Sequence, residues 1–150
     1  MLNLKNLDKV KYPVHSPDYT PSNIKAGIVH FGVGNFFRAH EAFYIDKILK
    51  VEPDWGIIGV GLTEGAHSSK KAATFLAQDC LYSLTECAPS GERSVRVIAA
   101  LRDYVLAPEN PQIVLEHLSN PDIRIVSMTI TEGGYNINEA TGMLTLKRHL

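Results

Sequence analysis

The sequence has few cysteines, no excess charge of either sign and no cysteine pairing typical of a metal site. Only Cys80 and Cys87 occur, and their spacing does not match the CxxC pattern of zinc and redox sites. We therefore expect two reduced thiols and no bound metal. The 15 Lys and Arg residues are balanced by 16 Asp and Glu residues, so no global field attracts a nucleic acid or a membrane surface. We expect neither as a partner.

The chain also lacks an apolar stretch long enough to span a bilayer, and residues 1–11 alternate Leu with polar residues instead of forming a signal-peptide core. We therefore expect a soluble, cytoplasmic protein. Its 150 residues, 45% of them hydrophobic, suffice for one compact domain. Pro13, Pro17 and Pro21 oppose helix and central strand. Residues 1–23 are accordingly predicted to form an extended surface arm, and residues 24–150 one folded domain.

Apolar runs alternate with helical spacings along the folded part of the chain. Strands are predicted over residues 27–31, 55–60, 82–86, 95–101 and 123–130, and helices over 35–50, 69–77 and 112–118. The turn Pro89-Ser90-Gly91 predicts a β-hairpin insertion. The alternation predicts an α/β fold with a doubly wound, mostly parallel sheet and helices on both faces.

The most informative segment joins the first predicted strand to the first helix through Gly32-Val33-Gly34. In a Rossmann-like dinucleotide site, the first glycine makes the tight turn and the second lets the cofactor pyrophosphate approach the backbone beside the helix start. The general fingerprint has a third glycine where Phe37 stands, so a turn that merely joins strand to helix is the alternative. Contacts to a dinucleotide are predicted for Phe31, Gly32, Val33, Gly34, Asn35 and Phe36.

Four further residues are candidates for the same site. Arg38 and His40 lie in the first helical turn, where a cation could neutralise the pyrophosphate. Thr131 and Glu132 follow the last predicted strand, and open α/β sheets bind their ligands at the carboxyl ends of strands. We expect Thr131 and Glu132 to line the nicotinamide side.

The residues after the second predicted strand bear on the choice of cofactor. A carboxylate at that position usually binds the adenosine ribose. Asp54 has the usual spacing from the glycines but precedes the strand, so Glu64 is the candidate, which favours NAD. His67, Ser68 and Lys70 could instead favour the 2′-phosphate of NADP, and NADP stays an alternative. A second Gly-x-Gly, at residues 59–61, lacks the Gly-Lys-Ser/Thr of a P-loop.

The segment Gly32-Val33-Gly34-Asn35-Phe36-Phe37-Arg38-Ala39-His40 resembles the Gly-x-Gly-x-Phe-x-Arg-x-His signature of the polyol-specific long-chain dehydrogenases, the mannitol dehydrogenase family. Residues 54–62, 77–84 and 125–135 resemble the same family in the same order. That family lacks the third glycine. The resemblance implies an NAD(P)-dependent, metal-independent oxidoreductase that interconverts a sugar alcohol and a ketose, mannitol and fructose being the commonest pair. Fructuronate and tagaturonate reductases and arabinitol dehydrogenases are also similar.

The resemblance further implies catalytic Lys, Asn and His residues, in a Lys-x4-Asn-x2-His pattern on a helix of a second, mainly helical domain. None of the nine lysines here has Asn five residues further on. We therefore expect no catalytic residue in this chain and a sugar substrate held by a domain that it lacks. Two interpretations remain: the cofactor-binding part of a polyol dehydrogenase, or a non-catalytic module that binds a dinucleotide or a partner.

Overall fold

The computed structural model describes residues 1–130, 137 and 140–143. The strands are β1 (Val14–His15), β2 (Ala26–Phe31), β3 (Gly56–Gly61), β4 (Tyr82–Cys87), β5 (Arg93–Ile98), β6 (Leu101–Leu106) and β7 (Ile125–Met128). The α-helices are α1 (Asn35–Ala39), α2 (Glu41–Ile48), α3 (Ala66–Ala77) and α4 (Pro111–Leu118). Short 3-10 helices cover Leu4–Lys9, Pro21–Asn23 and Pro53–Trp55. None of the described helices is long and apolar enough to cross a membrane.

Four strands form a parallel sheet in the order β6-β3-β2-β7. On one face, Phe37 of α1 and Phe75 of α3 belong to the main apolar cluster, together with residues of α2. On the other face, Val114 of α4 packs with Val29 and Val105. The predicted doubly wound sheet with helices on both faces is confirmed. Because its strands are parallel, their carboxyl ends meet at one edge, where such folds bind ligands.

A smaller sheet lies beside the parallel one, with the strand order β1-β5-β4. Strands β4 and β5 form an antiparallel hairpin in which Tyr82 pairs with Ile98 and Cys87 with Arg93. The predicted hairpin insertion is confirmed. The first residues of β4 reach the main core, since Tyr82 is buried against Phe75 of α3.

Two predicted elements run across a break in the structure and are wrong in that respect. The helix predicted over 35–50 is broken at His40, whose φ of −122° and ψ of −83° are not helical. The strand predicted over 95–101 ends at Ile98, and β6 was not predicted as a separate strand. Between β5 and β6, the backbone N–H of Ala99 donates to the Asp46 carboxylate of α2 at 2.7 Å. This bond fixes the backbone where the chain passes from the small sheet to the parallel sheet, a connection that contains neither glycine nor proline.

The N-terminal segment also differs from the extended surface arm that proline content predicted. It contains two of the 3-10 helices and β1, which pairs with β5. Its apolar residues have a place to pack, because Leu4, Leu7 and Val10 contact a buried cluster around Leu81 and Val97. The segment is therefore fastened to the small sheet. The assignment of residues 24–150 as one dinucleotide-binding domain stays a prediction.

We expect Tyr19→Phe to lower the free energy of unfolding by about 1–3 kcal/mol, because the buried Asp46 carboxylate would lose the hydrogen bond that the Tyr19 hydroxyl donates to it. Denaturant unfolding measures the change. The matched control is Tyr12→Phe, since Tyr12 is 88% exposed and should change stability by less than about 0.5 kcal/mol. Equal losses in the two variants would contradict this account of the N-terminal segment.

Candidate functional site

The Gly32–Gly34 turn connects β2 to α1 at the carboxyl edge of the parallel sheet. Gly32 has a φ of +95°, in the region that favours glycine. Its N–H donates to the Val60 carbonyl of β3 at 2.9 Å, and the Gly34 N–H donates back to the Gly32 carbonyl at 2.7 Å. On the other side, the Thr129 N–H donates to the Phe31 carbonyl at 3.1 Å. The turn is thus held between both neighbours of β2.

Gly34 differs from Gly32, because the fold itself does not require a glycine there. Its φ of −94° is open to any residue. A Cβ added at this position would have as its nearest neighbour the Gly32 carbonyl oxygen, at an ordinary 3.8 Å. The space above Gly34 is therefore open. This is what a backbone that a pyrophosphate approaches closely requires.

Phe37, which stands in place of the third glycine, is 1% exposed and stacks on the His30 ring with centroids 3.9 Å apart. A third glycine serves close packing between helix and strand. Here α1 has only five residues and ends before His40, so a large side chain fills the space between α1 and β2. Phe37 therefore replaces the third glycine of the general fingerprint because α1 and β2 pack with a large side chain between them.

The second Gly-x-Gly has a packing role as well. A Cβ on Gly59 would lie 2.7 Å from Cγ2 of Val33 and 2.9 Å from Cδ1 of Leu101. Gly59 therefore makes room on β3 for the buried Val33 side chain of the turn. At Gly61, an added Cβ would collide with the Tyr104 hydroxyl. Gly59 therefore lets the turn lie close to the sheet, and Gly61 makes room for the Tyr104 side chain of β6.

A buried polar network around His30 joins three elements behind the turn. His30 is 1% exposed, and its Nδ1 lies 2.9 Å from Ser127 Oγ and 3.1 Å from Glu41 Oε2. Its Nε2 lies 3.2 Å from Thr129 Oγ1, and Ser127 donates to Glu41 at 2.8 Å. Burial raises the pKa of Glu41, but the hydrogen bonds from His30 and Ser127 outweigh it and hold that pKa below its ordinary value. The network ties β7 to β2 and α2.

The predicted nicotinamide-side residues, Thr131 and Glu132, lie outside the described residues. They follow β7 and Thr129, which the His30 network holds. Their role stays a prediction.

The candidate residues of α1 divide into anchored and exposed ones. Arg38 Nε donates to the Gly34 carbonyl at 3.3 Å, and its terminal nitrogen donates to Asn35 Oδ1. Phe36 is 65% exposed and its ring stacks on His40 with centroids 4.3 Å apart. Arg38 thus folds back onto the turn, whereas Phe36 and His40 lie on the outer surface. Cofactor contacts by any of them stay predictions.

Lys71 of α3 is a residue that sequence reasoning missed. Its Nζ donates to the Val33 carbonyl, the middle residue of the turn. Burial lowers the pKa of Lys71, and the nearby Arg38 charge lowers it further. No motif or spacing links Lys71 to the turn, since only the packing of α3 over α1 brings them together. Lys71 fixes the Val33 carbonyl on the side of the turn that faces α3.

Glu64 lies after β3, as predicted, and its side chain is exposed in the turn that precedes α3. Gly65, with a φ of +103°, begins that helix. The three residues predicted as alternatives for binding the 2′-phosphate of NADP differ in their exposure to solvent. Ser68 is 8% exposed and its hydroxyl lies 2.8 Å from that of Thr63, whereas His67 and Lys70 are exposed.

Cys80 and Cys87 are both free, and burial raises the pKa of Cys80 to about 12. Within residues 1–130, 137 and 140–143, no three His, Cys, Asp or Glu side chains converge as a metal site would require.

The family model described as "Mannitol dehydrogenase Rossmann domain" matches residues 26–149. The chain belongs to this family. The match covers the four strands of the parallel sheet, the four α-helices and the glycine turn.

Relatives of this mannitol dehydrogenase Rossmann domain are similar over nearly its whole length. The chain is 63% identical to the polyol:NADP oxidoreductase of Gluconobacter oxydans, over 98% of this chain and 30% of the relative. It is 44% identical to a mannitol 2-dehydrogenase of Phaeosphaeria nodorum, over 97% of this chain and 25% of the relative. The chain therefore spans between a quarter and a third of the length of these relatives.

Solved structures of other proteins share the fold, and two of them are similar over nearly the whole chain. A substrate-free D-sorbitol dehydrogenase matches with a TM-score of 0.88 and 63% identity, over 97% of this chain and 30% of the other. The Pseudomonas fluorescens mannitol 2-dehydrogenase, solved as a ternary complex with NAD and D-mannitol, matches with a TM-score of 0.84 and 40% identity, over 95% of this chain and 29% of the other. The predicted Rossmann-like fold and family membership are both confirmed.

We expect Glu41→Gln to lower the free energy of unfolding at pH 7 by about 1 kcal/mol, the size of one weakened hydrogen bond. Because the folded pKa of Glu41 lies below its ordinary value of 4.5, its carboxylate stabilises the fold above that pH and loses its contribution as the pH falls through the folded pKa. The difference between parent and variant should therefore shrink below pH 4.5. Unfolding curves from pH 3 to pH 7 test this, with the exposed Glu116→Gln as control; a difference independent of pH would contradict it.

Proposed function

We propose that this chain is the dinucleotide-binding part of an NAD(P)-dependent oxidoreductase that interconverts a sugar alcohol and a ketose, with mannitol and fructose as the substrate pair. The observation that carries the proposal is the open backbone at Gly34, in a turn held between β3 and β7 at the carboxyl edge of the sheet. Membership of the mannitol dehydrogenase Rossmann family supports it. So do relatives named as polyol and mannitol oxidoreductases.

The residues present fit a dinucleotide, because a Cβ at Gly34 would occupy the space that the pyrophosphate needs. The pyrophosphate would lie over residues 31–36, where Arg38 and Lys71 are cations anchored on the turn. The exposed Glu64 would accept hydrogen bonds from the hydroxyls of the adenosine ribose. Thr131 and Glu132 would line the nicotinamide side. When bound, the cofactor supplies the hydride chemistry.

The work of this chain in the reaction is to bind and orient the cofactor. The turn is positioned by backbone bonds to Val60 and by the Lys71 contact with Val33. The His30 network holds the end of β7 against β2. Proton transfer to or from the sugar belongs to the Lys, Asn and His residues of the Lys-x4-Asn-x2-His pattern, which this chain lacks. Sugar binding would likewise use the part of the relatives that this chain does not span.

We also propose that the protein is cytoplasmic. The free thiols Cys80 and Cys87 suit a reducing compartment. The partners proposed are the dinucleotide and, through the further domain, a small sugar alcohol or ketose, without a nucleic acid or a membrane.

Gly34→Ala should weaken dinucleotide binding about tenfold or more, a loss of about 1.4 kcal/mol, because the added methyl group would fill the space above the turn. The fold should tolerate this methyl group, whose nearest neighbour would be 3.8 Å away. Calorimetric titration with NAD and NADP measures the effect. Gly91→Ala is the control for lost stability: its φ of +87° makes the added methyl group strained, in a hairpin turn with nothing within 4 Å, so this variant should lose stability and keep its affinity. Unchanged affinity in a folded Gly34→Ala variant would refute the site.

The chain on its own should bind a dinucleotide without oxidising mannitol or reducing fructose at a measurable rate. It lacks the catalytic pattern, and nothing would orient the sugar, an effect worth roughly 7–11 kcal/mol of barrier. Absorbance of the reduced nicotinamide would follow the reaction. Turnover above a no-protein control that Gly34→Ala abolishes would place the chemistry in this chain and overturn the prediction.

A further inference from the structure

His30 lies beneath the glycine turn and contacts three elements around it. Its ring stacks on Phe37 of α1 with centroids 3.9 Å apart, and its Nδ1 lies 3.1 Å from the Glu41 carboxylate of α2. Two hydroxyl groups from β7 and the residue that follows it, those of Ser127 and Thr129, lie within hydrogen-bond distance of the ring. Only 1% of His30 is exposed. A side chain in this position can couple the turn to the end of β7.

The hydrogen bonds around His30 have defined directions. Ser127 donates its hydroxyl hydrogen to Glu41, so the Ser127 oxygen accepts from the Nδ1–H of His30. With the hydrogen on Nδ1, Nε2 of the neutral imidazole accepts from the Thr129 hydroxyl at 3.2 Å. The ring therefore cannot rotate without leaving a buried polar atom unpaired, which is costly.

Few other contacts set the position of β7. Within the described part of the chain, β7 is an edge strand that pairs only with β2. Its apolar side chains Ile125, Val126 and Met128 are between 44% and 59% exposed, and none of them belongs to an apolar cluster of the described residues. The backbone bonds to β2 and the side-chain bonds to His30 therefore hold the carboxyl end of β7.

Thr129 is the residue at which the end of β7 meets the glycine turn. Its N–H donates to the Phe31 carbonyl at 3.1 Å. A Cβ added to Gly32 would lie 3.5 Å from the Thr129 carbonyl oxygen and 3.8 Å from its Cβ, so the two backbones are in contact. The hydroxyl of the same residue bonds to His30. His30 thus fixes the separation between the turn and the strand end that leads to the predicted nicotinamide residues.

We propose that His30 is a positioning residue for the nicotinamide end of the cofactor. Through the Thr129 hydroxyl, it holds the end of β7 at the distance from the glycine turn that a bound dinucleotide requires. The inference rests on the proposed function, because it needs the pyrophosphate on the turn. His30 acts without touching the cofactor, since Phe37 covers its ring.

This role separates the two halves of the cofactor. The nicotinamide half, on the β7 side of the turn, depends on His30, whereas the adenosine half, proposed to lie on the β3 side near Glu64, does not. A network that only satisfied a buried histidine would lower the stability of the fold and favour neither half of the cofactor.

The test compares dissociation constants of NADH and of ADP-ribose, which lacks the nicotinamide ring, for the parent chain and Thr129→Val. The substitution replaces a hydroxyl group by a methyl group of similar size. NADH should bind about fivefold more weakly, because the loss of one hydrogen bond lowers the population of correctly placed strand ends. The affinity for ADP-ribose should not change. Thr129→Ser keeps the hydroxyl group and should restore the binding of NADH.

Thr85→Val is the matched control, because Thr85 is an exposed residue on β4 of the small sheet. It should change neither constant. Ser127→Ala removes the other hydroxyl group bonded to His30. It should weaken the binding of NADH in the same selective way, and it decides the question if Thr129→Val does not fold. NADPH and 2′-phospho-ADP-ribose are the corresponding pair of ligands if the chain binds NADP.

Denaturant unfolding of each variant separates positioning from stability. A Thr129→Val variant of lowered stability with an unchanged ratio of the two constants would leave the network a structural role alone and overturn the inference. A Thr129→Ser variant that behaves like Thr129→Val would overturn it as well. Equal affinities of the parent for NADH and ADP-ribose would overturn it but leave the dinucleotide site standing. A parent that binds neither ligand would overturn the proposed function too.

Discussion

The glycine turn depends on hydrogen bonds from both neighbours of β2. Val60 of β3 accepts from Gly32 on one side, and Thr129, after β7, donates to Phe31 on the other. A backbone held at both flanks needs no side chain at Gly34 to define its path, so that position can stay open. The parallel sheet therefore preforms the site: the order β6-β3-β2-β7 places the turn between two strand ends, and a ligand need not order it.

Close packing around that turn explains why a glycine is needed at one neighbouring position and a large aromatic residue at another. Gly59 leaves room for Val33, and Phe37 fills the gap between the short α1 and His30. Buried polar groups are then satisfied locally: His30, which Phe37 covers, bonds to residues of β7 and α2. Such groups are costly when left unpaired. The same contacts that bury His30 therefore also fix the edge at which the cofactor would lie.

The elements nearest the turn could be predicted because their signals are local. A buried β2, two glycines and a following helix stand together in the sequence, and the structure has them at residues 26–39. β6 could not be separated from β5, because Ala99 and Ala100 carry no turn signal. The crossing between the sheets is fastened by Asp46, which lies 53 residues before Ala99. Lys71 was missed for the same reason, since its partner Val33 lies 38 residues away.

The sequence by itself determined the alternation of strands and helices, the glycine turn, the family, and the absence of the catalytic Lys-x4-Asn-x2-His pattern, because each is written in neighbouring residues. Only the tertiary structure decided that the N-terminal segment packs on the small sheet, that α1 and α2 separate at His40, and that Arg38 and Lys71 converge on one cleft. These features depend on which surfaces of distant elements come into contact. Side chains bury one another and charges interact only where the folded chain brings them together, whatever their separation along the sequence.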